Sequence, residues 1–221
     1  MLIDYSLYLV TDRGLALGRD TVNIVRAAIT GGVTCVQLRE KHCATRAFID
    51  EARALKALLD TLTNRIPLII NDRLDIALAI GADGVHLGQT DMPIRDARRL
   101  VGPSMIIGIS AESIADAIRA EAEGADYIGI SPVFATPTKT DTAPPLGLEG
   151  VRQIRAAVSL PLVAIGGIQE ENASAVIRAG ADGVAVVSAI VAAACPRKAA
   201  NALKQQIQSA RDEEESSWNS K

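Results

Sequence analysis

Cysteine, histidine and runs of positive charge are all scarce in this 221-residue chain, and each scarcity removes a class of function. The three cysteines, Cys35, Cys43 and Cys195, fall in no CxxC or CxxH spacing. They read as small thiols in a reducing compartment, not as a disulfide framework or a metal site. The two histidines, His42 and His86, stand at no ligand spacing, which argues against zinc. The net charge is −3 and no block of Lys or Arg marks a nucleic-acid footprint. No apolar run is long enough to span a bilayer. The opening MLIDYSLYLVTDRG lacks the basic start, apolar stretch and cleavage site of a signal peptide. The expectation is a cytoplasmic protein that acts on small molecules, with neither nucleic acid nor membrane as partner and with homo-oligomer formation left open.

What the chain does have is alternation. Hydrophobic residues make up 48% and charged residues 22%, enough for one full core in a domain that buries about 70% of its unfolded surface. Strands are expected at Leu7–Val10, Thr34–Leu38, Leu68–Ile70, Gly84–Leu87, Ile106–Ile109, Tyr127–Ile130, Leu162–Ile165 and Gly183–Val187. They are continuous apolar runs, so both faces should be buried, as in a parallel sheet. Between them lie helical patterns. Val22, Val25 and Ile29 share one face, as do Phe48, Ala52, Leu55 and Leu59, and then Ile114, Ala117, Ile118 and Ala122. Asp20, Thr45 and Ser113 are placed to cap helices or open their first turns.

A repeat fixes the count. Gly-containing helix exits precede four of the runs: Thr30-Gly31-Gly32-Val33, Gly81-Ala82-Asp83-Gly84, Gly124-Ala125-Asp126-Tyr127 and Gly180-Ala181-Asp182-Gly183. Gly ends the helix in a left-handed cap and the residues after it turn into the strand. The spacing, from 31 to 81, 124 and 180, fits two strand–helix units each time, so these are alternate strands of one barrel. No GxGxxG follows the first strand, which argues against a dinucleotide fold. A single (β/α)₈ barrel over residues 1–210 is expected, then a polar tail from 211 to 221 that frays. Trp218 lies in that tail and has no assigned role.

In such a barrel the site is built at the C-terminal ends of the strands. Strand 2 runs into Gln37-Leu38-Arg39-Glu40-Lys41, where 37, 39 and 41 point the same way and gather an amide, a guanidinium and an ammonium. Alone, that is equally a solvated strand end. Strand 3 ends in Asn71-Asp72, and strand 4 is followed by Gly88-Gln89-Thr90-Asp91. Each aspartate can simply cap the next helix. Two on adjacent strands beside a cationic strand end instead suit Mg²⁺, which takes few protein oxygens and completes its shell with water and phosphate. His86, inside strand 4, reads as a packed histidine. Strand 5 ends in Ser110. Strand 6 leads into a loop, Thr136 to Gly147, whose Thr136, Thr138 and Lys139 suit closure over an anion. Strand 7 ends in Ile165-Gly166-Gly167-Ile168 and strand 8 in Val186-Val187-Ser188-Ala189. Glycines let backbone approach a phosphate, and the loops after strands 7 and 8 are the recurrent phosphate site of this fold. Ser110 and Ser188 lack a strand-end histidine, and Cys35 and Cys43 have no placed base beyond the sequence neighbour His42, so covalent catalysis is not indicated. Two anion sites and a divalent metal point to two phosphorylated reactants, one a diphosphate that leaves with its charge stabilised.

The strings VQLREK, IIND, GVHLGQTD, SPVFATPTK, AIGGI and GADGVAVVSAI occur in this order. Together, over Tyr5 to Ala194, they resemble the thiamine-phosphate synthase family. The resemblance implies that a hydroxymethylpyrimidine diphosphate loses diphosphate and is captured by the ring nitrogen of a thiazole phosphate. It further implies that Gln37, Arg39, Lys41 and Asn71 bind the pyrimidine diphosphate. Asp72 and Asp91 would hold Mg²⁺, and Ser110 would contact the pyrimidine. Thr136 and Thr138 would contact the thiazole phosphate, and Lys139 the diphosphate. Gly167, Val187 and Ser188 would form the thiazole phosphate cradle. Arg39, Lys41, Ser110 and Lys139 would be the residues that assist the chemistry. Ser131 and Ala135 stand where the family more often has Gly and Pro. A sister family of thiazole tautomerases and a catalytically silent precursor-binding protein are the rival readings. The tautomerases tend to lose the carboxylates and cations that this chain keeps.

Overall fold

Eight short apolar runs become eight strands, and strand pairing fixes their order. The computed structural model describes residues 3–136 and 144–219. Strands β1 (Leu7–Val10), β2 (Cys35–Leu38), β3 (Leu68–Asn71), β4 (Gly84–Leu87), β5 (Ile106–Ala111), β6 (Tyr127–Ile130), β7 (Leu162–Ile165) and β8 (Gly183–Val186) form a closed parallel barrel in sequence order. β8 returns to β1 with Leu7 opposite Val184. Helices α1 (Thr21–Thr30), α2 (Thr45–Asp60), α3 (Leu74–Ile80), α4 (Ile94–Val101), α5 (Ile114–Glu123), α6 (Gly147–Ala157), α7 (Glu170–Arg178) and the one-turn α8 (Ser188–Val191) follow the strands in turn. A last helix, α9 (Pro196–Asn219), packs on α1 and α7 and includes the polar segment that begins at Arg211. The chain is a single (β/α)₈ barrel. Among the described residues no helix is long and apolar enough to cross a membrane.

The expected strand runs hold to within a residue or two. Ser110 lies inside β5, not at its end, and Asn71 belongs to β3. Strand periodicity separates two cores. Leu7, Leu9, Val36, Leu38, Leu68 and Ile70 face outward into the layer beneath the helices. Tyr8, Val10, Cys35, Ile69, Tyr127, Val163 and Ala185 face inward and fill the barrel. Gly108 exists for that filling: a Cβ there would lie 2.1–2.4 Å from two ring carbons and the hydroxyl oxygen of Tyr127.

The helix faces are partly as expected. Phe48, Ala52, Leu55 and Leu59 are the buried face of α2. On α1 the buried face is Thr21, Ile24, Val25 and Ala28, with Val22 and Ile29 half-buried beside it. On α5 the expected face is wrong except at Ala117. Ala117 and Ala120 are buried, while Ile114, Ile118 and Ala122 are exposed. Small alanines let that helix lie close to the barrel, and the larger isoleucines stand outside the contact. Asp20 and Ser113 cap α1 and α5 through the N–H groups of Asn23 and Asp116. Thr45 is the first residue of α2, whose N-cap Ala44 gives no side-chain bond.

The four repeated exits do precede the even strands. Gly81 and Gly124 are left-handed caps, while at the other two ends the positive φ falls one residue past the cap, on Gly32 and Gly180. The aspartates of the repeat form a device at the bottom of the barrel. The carboxylates of Asp83, Asp126 and Asp182 accept from the N–H groups of Leu68, Ile107 and Leu162 at 2.8, 2.7 and 2.8 Å. Their own N–H groups donate back to the carbonyls of the same three residues. Arg65, Arg98 and Arg155 pair with the three carboxylates in turn. Thr34 does the same work for Leu7 with its hydroxyl. Each strand entrance is thereby pinned to its neighbour.

Replacing Gly108 by alanine forces the buried Tyr127 ring to move. The expected loss is about 1–3 kcal/mol of unfolding free energy, read by chemical denaturation. An unchanged midpoint would show that the barrel interior has slack.

Candidate active site

At the C-terminal ends of the strands the barrel opens into a cavity of about 650 Å³, the size of a small-molecule site. Each sequence-predicted site residue among the described residues lines it: Gln37, Arg39, Lys41, Asn71, Asp72, Asp91, Ser110, Thr136, Gly167, Val187 and Ser188. Thr138 and Lys139 lie outside the described residues.

The strand 2 end behaves as its alternation requires. Arg39 and Lys41 face the cavity, while Glu40 between them turns away and takes Arg13 at 3.1 Å. Burial raises the Glu40 carboxyl above its ordinary value. Arg39 is braced by Asp12, 3.0 Å from its guanidinium, and by the Thr11 hydroxyl, which accepts its backbone N–H. Sequence reasoning missed Asp12. It stands two residues after β1, and the rule applied to the other strand ends would have found it.

The capping reading of the two acidic residues fails. The N-caps of α3 and α4 are Arg73 and Pro93, neither with a side-chain cap bond. Asp72 instead pairs with Lys41 at 2.5 Å. Its φ of 59° is the left-handed region, a costly conformation outside glycine that tends to be kept at functional positions. The bonds from Asp72 N–H to the His86 carbonyl at 2.8 Å and from Leu74 N–H to the Asp72 carbonyl hold it there. Asp91 accepts the Gly88 N–H at 2.6 Å. Its carboxyl is raised, first by burial and then by the neighbouring Asp72 carboxylate, against the opposing pull of Gly88 and Lys41. Two adjacent carboxylates offer oxygen donors of the kind a hard cation takes while it keeps its own water.

The cavity floor was not foreseen. Tyr8 and Tyr127 are fully buried, with their hydroxyls 2.9 Å apart. Gln37 Nε2 donates to Tyr8 at 3.0 Å, His86 Nδ1 lies 2.8 Å from the Tyr127 hydroxyl, and His86 Nε2 lies 2.9 Å from Ser110 Oγ. Burial holds both phenols well above their ordinary value, so they stay protonated. Gly129 makes room for the imidazole, since a Cβ there would meet His86 Cε1 at 2.9 Å. His86 is packed, as expected, and it also lines the site; its place beside Ser110 corrects the expectation that no base stands next to that serine, because the two lie on the adjacent strands β4 and β5.

On the far wall, Gly166 and Gly167 carry positive φ. Their first reason is a close approach by the chain after β6: added Cβ atoms would meet Pro132 at 2.8 Å and the Ala135 carbonyl at 2.6 Å. Val133 and Phe134 donate to the Ile165 and Gly166 carbonyls across that contact. The described ends of the β6–α6 connection are tied together, Leu146 to Pro132 and Gly147 to Val133. Ser188 opens α8, and Arg19, also missed, binds the carbonyls of Val191 and Ala193 at the other end of that turn and the Ala16 carbonyl in its own loop.

A family model described as thiamine monophosphate synthase matches residues 7–190. The chain is similar to a thiamine-phosphate synthase of Albidiferax ferrireducens, 59% identical over 201 residues that cover 91% of each chain. It is also similar to a thiamine-phosphate synthase of Chloroflexus aurantiacus, 54% identical over 203 residues, 92% of this chain and 93% of the other. A solved thiamine phosphate pyrophosphorylase from Pyrococcus furiosus superposes with a TM-score of 0.85 at 40% identity, covering 94% of this chain and 97% of its own.

A carboxyl whose folded value is raised destabilises the fold once the pH passes the usual aspartate value of 3.8, because the unfolded chain ionises it more easily. Asp91→Asn removes that charge and keeps an acceptor for Gly88. In metal-free buffer at neutral pH the variant should therefore melt above the wild type by scanning calorimetry. A lower melting temperature would mean that the carboxylate pair stabilises the fold by itself.

Proposed function

The chain belongs to the thiamine monophosphate synthase family and is a transferase that makes thiamine phosphate, and from that premise we propose how its barrel mouth performs the reaction. The carrying observation is that one cavity holds two unlike halves. Arg39, Lys41 and the Asp72/Asp91 pair stand at the ends of β2 to β4, and Gly167, Val187 and Ser188 stand opposite, on β7 and β8.

In this reading the pyrimidine diphosphate occupies the first half. Gln37 and Asn71, both buried, orient it, and Ser110 contacts the ring. Arg39 and Lys41 stabilise the negative charge that grows on the diphosphate as the carbon–oxygen bond breaks and the electron pair leaves with it. Asp12 keeps Arg39 aimed, which matters because misplacement of such a group by an ångström is costly. Lys139 adds a third cation from the β6–α6 connection. Asp72 and Asp91 would hold Mg²⁺, which when bound neutralises diphosphate charge as a Lewis acid. The thiazole phosphate occupies the other half. Gly167, Val187 and Ser188 hold its phosphate, in the loops after strands 7 and 8 and at the short extra helix where this fold recurrently binds phosphate, and Thr136 and Thr138 of the β6–α6 connection add hydroxyls to it. Its ring nitrogen has a free lone pair and forms the new carbon–nitrogen bond, so no general base is required.

We place the protein in the cytoplasm, on the ground that Cys35, Cys43 and Cys195 are all free thiols, and leave self-association open. The carboxylates and cations on the diphosphate side are what a thiazole tautomerase or a silent binding protein would not need. Incubation with both phosphorylated precursors and Mg²⁺ should release diphosphate and thiamine phosphate in equal amounts. No product from authentic substrates would sink the reading. Asp72→Ala and Lys139→Ala should each lower turnover at least about 100-fold, roughly 2.7 kcal/mol of transition-state stabilisation. Activity within a factor of a few of wild type would show that those roles are misplaced.

A further inference from the structure

The hydrogen bonds on the cavity floor form one unbroken path across five strands: Gln37 on β2, Tyr8 on β1, Tyr127 on β6, His86 on β4 and Ser110 on β5. We propose that this path runs in one direction, fixes His86 as the tautomer protonated on Nε2, and thereby makes Ser110 a hydrogen-bond donor into the cavity. His86 is then a positioning residue that selects a substrate with an acceptor at Ser110.

The direction follows from counting protons. The Gln37 amide nitrogen can only donate, so the Tyr8 oxygen receives at 3.0 Å. Tyr8 has one proton to give, and the Tyr127 oxygen lies 2.9 Å away. Tyr127 then gives its own proton to the nearest remaining acceptor, His86 Nδ1 at 2.8 Å. A neutral imidazole has one N–H, which must now sit on Nε2 and point at Ser110 Oγ, 2.9 Å away. Ser110 accepts that bond and keeps its proton for the cavity that it lines. Both phenols keep their protons, because burial raises them well above their usual value.

The opposite direction is worse. Ser110 would donate to Nε2, Nδ1–H to Tyr127 and Tyr127 to Tyr8, which would then receive twice. The Tyr8 proton would be left with the buried Cys35 sulfur beside it, a weak acceptor. A buried phenol without a good partner is disfavoured strongly enough to decide the direction.

Resting on the proposed function, the substrate atom at Ser110 is an acceptor such as a ring nitrogen of the pyrimidine. A site built to donate at that point rejects an analogue that lacks the acceptor.

The protein has two histidines, so nitrogen-15 spectra of histidine-labelled protein are simple to read, with His42→Gln assigning the pair. In the substrate-free wild type His86 should be protonated on Nε2 alone. Protonation on Nδ1, or on both nitrogens, overturns the proposal whatever the protein's activity. In turnover, His86→Leu should raise KM for the pyrimidine diphosphate about tenfold, as expected for one lost hydrogen bond, and leave KM for the thiazole phosphate within about twofold. His86→Gln, which restores a donor, should recover most of the loss. An equal rise for both substrates, or no rise, overturns the selection role. A wild type without turnover would fail the functional reading and leave the spectra to decide the tautomer.

Discussion

Closing eight parallel strands on themselves puts every second side chain inside a narrow cylinder, and the rest of this structure depends on how that cylinder is filled. Tyr8 and Tyr127 occupy its middle, with ring centroids 6.0 Å apart, and Tyr5 packs on Tyr127 from the strand-entrance side at 4.7 Å, its ring tilted by 35°. The Tyr127 ring fits only because Gly108 gives up its side chain, and Gly183 does the same for the Tyr5–Ser6 backbone, where a Cβ would lie 1.9 Å from the Tyr5 carbonyl. Aromatic rings bring hydroxyls into a buried space, and those hydroxyls demand partners. Gln37, His86 and Ser110 supply them, which turns a packing solution into a polar floor for the cavity above.

On that floor stands a rim of charge arranged in pairs. Arg39 has Asp12 and Lys41 has Asp72, so neither cation waits unpaired for substrate. Burial first, and then repulsion by the neighbouring Asp72 carboxylate, raise the Asp91 carboxyl above its ordinary value. A divalent cation would relieve the repulsion, and a diphosphate would give the cations a stronger partner than their present carboxylates. The left-handed backbone of Asp72, held by its bond to the His86 carbonyl, connects the rim to the floor.

Much of this was legible in the chain, for definite reasons. The Gly-Ala-Asp repeat predicts alternate strands of a barrel because the turn it encodes is local. Strand-end alternation predicts Gln37, Arg39 and Lys41 on one side for the same reason. The arginine partners of those repeat aspartates were not legible, since Arg65, Arg98 and Arg155 stand 18, 28 and 27 residues from Asp83, Asp126 and Asp182. The floor was hidden more deeply: its bonds join residues 29, 119, 41 and 24 positions apart, and no local pattern marks them. The face of α5 was misread because hydrophobic size was given more weight than closeness of packing, and there Ala117 and Ala120 lie against the barrel while Ile114 and Ile118 do not.

The central claim is that one barrel mouth holds two separate anion sites, one for the leaving diphosphate with a metal and one for the phosphorylated nucleophile. Calorimetric titration of inorganic diphosphate with Mg²⁺ into the substrate-free protein tests it directly, with and without saturating thiazole phosphate. The account predicts one equivalent of diphosphate bound in both cases, with affinity altered by no more than about threefold, a coupling under 1 kcal/mol. Loss of diphosphate binding in the presence of thiazole phosphate would mean that the two anions share one site, and would contradict it.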